Sequence, residues 1–382
     1  MLHQKQFSTR RQLLQRTGAL GASAVMPAWA QPGKPAGGSR NVVVAQVVDF
    51  SQAQQDVSKD FLIGSRAVWQ DINQKGGIRG RRVDHLTLET DGTPASLAAA
   101  MEPIRANASC VVLSGSVGDL MAASTVALVR KEGLNIAHAA PWLQNSSLEI
   151  DDNTFPIFAA RQEQIAHALK TLSVMGLKEL GAIYGTARDH SAYHVEVERI
   201  AASMQLKLQS FQSAGQLRAL GQQLTPQTPA VLLFVGGTPE LAEFTQGLEK
   251  QSRQRYVVAL ADVNLQVMQQ MGAAKSTPVI ATQPVPMVTA SLPIVRSYRE
   301  TLSRLFDEPP TSLSLAGFIA ARYTFEVLND VDGPLTRQSA LAAFQRRTAM
   351  DVGGFRVSFN PQRRSSTYVT QSMMTVDGRV IG

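Results

Sequence analysis

Of the 382 residues, 37 are basic and 30 acidic, a formal net charge of +7 that falls to +3 without the four bases of the N-terminal leader, too weak to imply nucleic acid. The single cysteine, Cys110, sits in the apolar run "SCVVLSG", which excludes an internal disulfide and leaves no cysteine after the apolar leader to take a lipid anchor.

The chain opens with "STRRQLLQRTGALGASAVMPAWAQ", residues 8–31. A basic head, an apolar run of about 15 residues and an A-x-A exit make an export signal, with cleavage expected after Ala30. The Arg10-Arg11 pair followed by leucines resembles a twin-arginine signal. The run is shorter than the roughly 20 residues needed to span a bilayer. The signal carries Lys5, Arg10, Arg11 and Arg16 and no acid, so its removal lowers the charge to +3. A Gly/Pro/Lys-rich flexible leader over 31–40 follows, and the remainder is long enough for two lobes.

From residue 42 to 282, short β-branched or apolar runs alternate with segments of helical period. The pattern predicts strands at 41–48, 83–90, 110–115, 134–139, 180–185, 206–211, 230–236, 256–260 and 277–283. Helices are predicted near 57–75, 94–107, 119–132, 162–175, 192–204, 216–224, 239–251 and 264–271. This alternation means parallel sheets with helices on both faces, and nine strands imply two sheets in two lobes. Helices follow at 291–306 and 312–330, then strands at 353–359 and 366–376.

No catalytic frame emerges. "SGSVG" at 114–118 lacks the first glycine of a nucleophile elbow, so its loop reads as a ligand contact or a turn. His190, His194 and Glu198 share helical spacing, but metal binding is the weaker reading of them. "GGIRGRR" (76–82) has no phosphate-loop frame, and GxGxxG, CxxC and H-E-x-x-H are all missing. The alternation does supply a cleft beyond the strand C-terminal ends, where two lobes can close on a small molecule.

"GSRAVWQDINQKGGIRGRRVDHLTLETDGTPASLAAA" (64–100) resembles the first-lobe signature of the branched-chain amino-acid-binding proteins, the leucine-binding branch of the type 1 periplasmic binding proteins. "KEGLNIAHAAP" (131–141), "PVPMVTASLPIVRSYRETL" (284–302), "AGFIAARYTFEVL" (316–328) and "DVGGFRVSFNPQRRSSTYV" (351–369) match in the same order. The resemblance implies an α/β fold of two Rossmann-like lobes with parallel central sheets, joined by a three-segment hinge near 156–160, 282–287 and 346–353. Lobe 1 would be 41–157 plus 286–346, and lobe 2 would be 158–285 plus 347–382.

It further implies a monomeric periplasmic receptor that is not an enzyme, with no cofactor, metal or nucleic-acid partner. The receptor would capture an amino acid or related amide and present it to an inner-membrane ABC permease. A receptor for a carboxylate or aromatic acid, or a sensor subunit of a membrane signalling system, is the alternative. In the family the ligand carboxylate meets hydroxyl and backbone groups on lobe 1, which places Ser116, Gly118, Asp119, His138, Ala139, Ala140 and Trp142 at the site. Asp119 stands out, since it would repel a carboxylate unless a cation or neutral group intervenes. Pro141 lacks the N–H of the threonine it replaces. On lobe 2 the corresponding residues are Asp189, His190, Tyr193 and Thr238, with Asp262 as partner of a ligand ammonium.

Overall fold

A computed structural model describes residues 41–382 except 108, 174–175, 213–215, 274–275, 366–367 and 376–379. The export signal and the leader expected over 31–40 therefore lie outside the described residues.

The first half alternates strands β1 (Val42–Asp49), β2 (Val83–Thr90), β3 (Cys110–Ser114), β4 (Ala137–Ala139) and β5 (Thr154–Phe155) with helices α1 (Gln55–Gln74), α2 (Pro94–Ala100), α3 (Glu102–Ala106) and α4 (Asp119–Lys131). The strands form one sheet in the order β2-β1-β3-β4-β5, parallel throughout. Every residue of β1 and β3 is buried, which is why these strands read as unbroken apolar runs without alternation. The helix expected over 94–107 is broken at Met101, where Pro103 opens a second short helix.

The second sheet receives β6 (Glu179–Tyr184), β7 (Lys207–Gln212), β8 (Val231–Val235), β9 (Tyr256–Ala259) and β10 (Val279–Gln283). The helices between them are α5 (Arg161–Ser173), α6 (Ala187–Ser203), α7 (Leu217–Gln223), α8 (Thr238–Leu248) and α9 (Leu265–Gln270). Helices α10 (Pro293–Leu305), α11 (Ser312–Asn329) and α12 (Arg337–Gln345) return to the first half. Strands β11 (Met350–Val352), β12 (Phe355–Val357), β13 (Thr370–Met374) and β14 (Val380–Ile381) close the chain. The second sheet runs β14-β13-β10-β9-β8-β6-β7, with β13 antiparallel to β10 and β14 antiparallel to β13. An antiparallel edge on a parallel sheet was not expected, and the period-2 signal of one strand carries no information about its direction.

The first lobe is held by an intimate contact of α1 with α11. A Cβ on Gly64 would stand 1.7 Å from the Ser314 carbonyl oxygen, and one on Gly317 would stand 1.9 Å from that of Phe61. Two glycines thus let the backbones touch, and Phe61, Val68, Trp69 and Phe318 bury their side chains around them. Burial of each such side chain is worth roughly 1.5–3 kcal/mol.

The chain passes to the second sheet between Phe155 and Arg161, back between Gln283 and Pro293, and again between Val357 and Thr370. The last passage lies C-terminal to the 346–353 expected. Residues 350–357 instead form a β11–β12 hairpin whose Val352, Phe355 and Val357 join the core of the first lobe, tied to α10 by the Ile294 N–H donating to the Gly353 carbonyl at 2.9 Å. Helix α12 was also unexpected; its Thr336 capping box with Ser339 is legible only once the helix is known.

Candidate ligand-binding site

The strand C-terminal ends of the two sheets face each other, and the loops leaving them are the ones that meet. After β3 the chain turns at Gly118, whose φ of 93° and 2.8 Å approach to the Asp49 Cβ admit no side chain. Asp119 then starts α4 and accepts at Oδ1 from the Gln144 and Asn145 N–H groups, at 2.7 and 3.0 Å. Its Oδ2 meets Arg161 Nη2 at 2.8 Å. Arg161 opens α5 in the second lobe and also pairs with Glu196 of α6, and its guanidinium lies 4.2 Å from the Tyr193 ring centroid.

The carboxylate that seemed misplaced at 119 is therefore answered by a buried cation, only 4% exposed, that the sequence reading missed. The two carboxylates push the Arg161 pKa further up despite burial, so it stays charged.

Lobe 1 offers fewer free donors than expected. The Ser116 hydroxyl is buried against His138 Nε2 at 2.8 Å, and the Ser116 carbonyl accepts from the Trp142 N–H at 2.7 Å. Burial lowers the His138 pKa to about 4, so the imidazole is neutral. The Ala139 carbonyl accepts from the Gly115 N–H, and the Ala140 N–H donates to the Phe155 carbonyl at 3.0 Å. Ala140 adopts φ 48°, a left-handed turn that carries Pro141 and Trp142 toward the second lobe. There the Trp142 indole packs edge-on to Phe61 and Phe158 and donates to Asp262 Oδ1 at 2.8 Å.

Two cavities meet at Asp262. One, of about 40 Å³, is lined by Gln54 and Gln144 from lobe 1 and by Arg161, Asp189, Tyr193, Glu240 and Asp262 from lobe 2. The other, of about 170 Å³, lies among Asp56, Lys59, Asp60, Thr238, Asp262 and Glu308. Both are small beside a ligand pocket, which typically holds about 300–1,000 Å³. Larger cavities of about 610 and 570 Å³ flank residues 358–365. They lie beside the last interlobe passage, away from the strand ends where the loops converge, and we do not assign the site there.

Of the residues expected at the site, Asp189, Tyr193, Thr238 and Asp262 line these cavities. Ser116, Gly118, Asp119, His138, Ala139, Ala140 and Trp142 stand behind them as support. His190 is turned aside, stacked on His194 with ring centroids 4.6 Å apart and edge-on to Tyr184. Asp189 also closes the capping box of α6 with Thr186, and the Thr238 hydroxyl accepts from the Asn264 N–H at 3.0 Å. Among the described residues no group of three or more His, Cys, Asp or Glu side chains is placed to hold a metal ion.

The sequence reading also missed Gln54, Gln144, Gln164 and Glu240. Gln164 Oε1 accepts from the Ala261 N–H and the Thr282 hydroxyl, both at 3.2 Å, and fixes the loop that carries Asp262. The one signal available was a charged and amide-rich "RQEQ" directly after the apolar "FPIFAA".

Burial is the leading cause of a raised carboxyl pKa at Asp189, Glu240 and Asp262, and Asp262 reaches about 6. Asp262 is half-buried and lines both cavities. The Trp142 hydrogen bond opposes the shift, while Asp119 and Asp189 add to it.

A family model described as "periplasmic binding protein" matches residues 41–376. No curated protein matches the chain. Among solved structures, an extracellular ligand-binding receptor from Verminephrobacter eiseniae superposes with a TM-score of 0.79 at 18% identity, covering 90% of this chain and 100% of that one. A substrate-binding periplasmic protein from Ralstonia solanacearum gives 0.78 at 18%, covering 89% and 99%. A branched-chain amino acid ABC transporter protein from Thermus thermophilus with bound valine gives 0.76 at 13%, covering 90% and 95%.

Proposed function

Because the chain belongs to the periplasmic binding protein family, we propose that it is an exported receptor that closes on a small polar organic solute between its lobes and delivers it to an inner-membrane ABC permease. Members of this family are substrate-binding proteins rather than enzymes. We assign the ligand to the amino acids and related amides, with Asp262 as partner of its amino group. The valine in the Thermus thermophilus structure supports that class.

The observation that carries the reading is the cavity at Asp262, walled from one side by Gln54 and Gln144 and from the other by Tyr193, Asp189 and Asp262. A site shared between two lobes exists only when they close, so a ligand held there favours the closed form by its differential contacts. We place the lobes at 41–157 with 286–357 and at 158–285 with 370–382, the passages between the sheets serving as the hinge. Export through the twin-arginine route, with cleavage after Ala30, completes the proposal.

A thermal-shift panel of amino acids, amides, dicarboxylates and aromatic acids tests it. A true ligand at about 100 times its Kd should stabilise the protein by roughly 2.7 kcal/mol. Small-angle scattering should show the same compound compacting the protein. A panel that leaves both readouts unchanged removes the receptor reading.

A further inference from the structure

We infer that the solute held in this cleft is a small organic cation, an amine whose other polar group is a neutral carbonyl or amide, in place of a zwitterionic amino acid or a carboxylic acid. The inference rests on the receptor reading above and, of the ligand class proposed there, keeps the amides and sets aside the amino acids.

The first observation is charge. The two cavities that meet at Asp262 are lined by Asp189, Glu240, Asp56, Asp60, Glu308 and Asp262 itself, against Arg161 and Lys59. Arg161 is already paired with both Asp119 and Glu196, so it adds no net positive charge to the cleft. Asp189, Glu240 and Asp262 form no ion pair among the described residues; Arg188 and Arg161 favour the charged form of Asp189, and Arg161 that of Asp262, from beyond ion-pair distance. Half-buried carboxylates gathered at one cleft with few counter-ions repel one another, and a bound cation relieves that repulsion.

The second observation concerns what a carboxylate would need. The lobe 1 donors at which the family resemblance places it are committed: the Ser116 hydroxyl to His138 and the Ala140 N–H to Phe155, while Pro141 has none. Gln144 Nε2 and Arg161 Nε, on side chains more than nine-tenths buried that line the smaller cavity, have no partner among the described residues, and neither has the acceptor Gln54 Oε1 of the same cavity, which suits a ligand N–H. Two buried N–H donors call for an acceptor on the ligand. With Asp119 and Glu196 directly behind Arg161, a neutral carbonyl satisfies them without the repulsion a carboxylate meets.

The test is calorimetric titration of the exported protein at pH 7 with leucinamide, butylamine, putrescine, leucine and butyrate. The inference expects an amine or amino amide to bind, leucine to bind at least about tenfold more weakly than leucinamide, and butyrate not to bind. Glu240→Gln and Asp262→Asn should each weaken leucinamide and butylamine at least about tenfold without lowering the unfolding midpoint, which separates loss of the amine's partner from damage to the fold; undiminished amine binding in both variants overturns the inference. Leucine binding as tightly as leucinamide, or butyrate binding, overturns the inference and leaves the receptor reading intact. Failure of every amine overturns it too. The receptor reading falls separately, only if the wider solute panel also leaves stability and compaction unchanged.

Discussion

Trp142 Nε1 of the first lobe donates to Asp262 Oδ1 of the second at 2.8 Å, so the two lobes are bridged through the residue expected to receive the ligand. The indole is only 1% exposed and its ring is fixed by Phe61 and Phe158. A ligand amine at Asp262 would compete for, or share, the oxygen that holds the lobes together.

Trp142→Phe retains the aromatic packing and deletes the donor. Hydrogen bonds to charged groups contribute about 1.5–3 kcal/mol, so unliganded stability should fall by about 1–3 kcal/mol. Urea denaturation measures the loss, and small-angle scattering should show a more open unliganded protein. An unchanged radius of gyration would mean that the bridge does not hold the lobes closed.

Asp262 sets a pH dependence of defined sign. Its pKa is about 6 in the folded protein against an ordinary carboxyl value of 3.8. The folded state therefore binds more protons between those values, and its contribution to stability is full below pH 4 and is lost as pH rises through 6. Asp262→Asn should thus gain up to about 1–3 kcal/mol over wild type at pH 7.5, at about 1.4 kcal/mol per pKa unit, and lose that gain by pH 4. The buried His85 and His138, both lowered to about 4, act in the opposite sense, with stability falling as pH drops from 6.5 through 4. The difference between the two proteins is accordingly the quantity to plot; a flat difference from pH 4 to 7.5 would refute the assignment.

Arg161 lies between Asp119 and Glu196, with all three buried. Arg161→Met leaves two carboxylates uncompensated and should cost about 3–5 kcal/mol in urea. Asp119→Asn leaves the Glu196 pair and should cost less. Equal losses in the two variants would contradict the pairing.

Gly317→Ala places a methyl group where the Phe61 carbonyl stands 1.9 Å away. The α1–α11 contact must open, at a cost of about 1–3 kcal/mol or more in thermal or urea unfolding.

Cys110 is fully buried and burial raises its thiol pKa to about 11. A thiol reagent at pH 8 should modify it no faster than the protein unfolds, because the thiolate is the reactive form. Rapid modification of folded protein would show an opening in the first lobe that these contacts do not contain.

The sequence by itself determined the alternation of elements, since buried parallel strands and amphipathic helices write their periods into the chain; "VDHLTLET" is a strand over the same residues in the structure. The family resemblance also named Asp189, Tyr193, Thr238 and Asp262, which line the cavities at Asp262. Tertiary structure alone decided what those residues meet. Residue 161 is 42 positions from Asp119 and 35 from Glu196; packing of α5 on α6 within lobe 2, and of lobe 1 against them, turns an isolated arginine and two carboxylates into a buried triad. The same applies to the β11–β12 hairpin and the antiparallel β13. Strand direction and lobe membership depend on which distant surface is left uncovered, and a local hydrophobic pattern does not encode that.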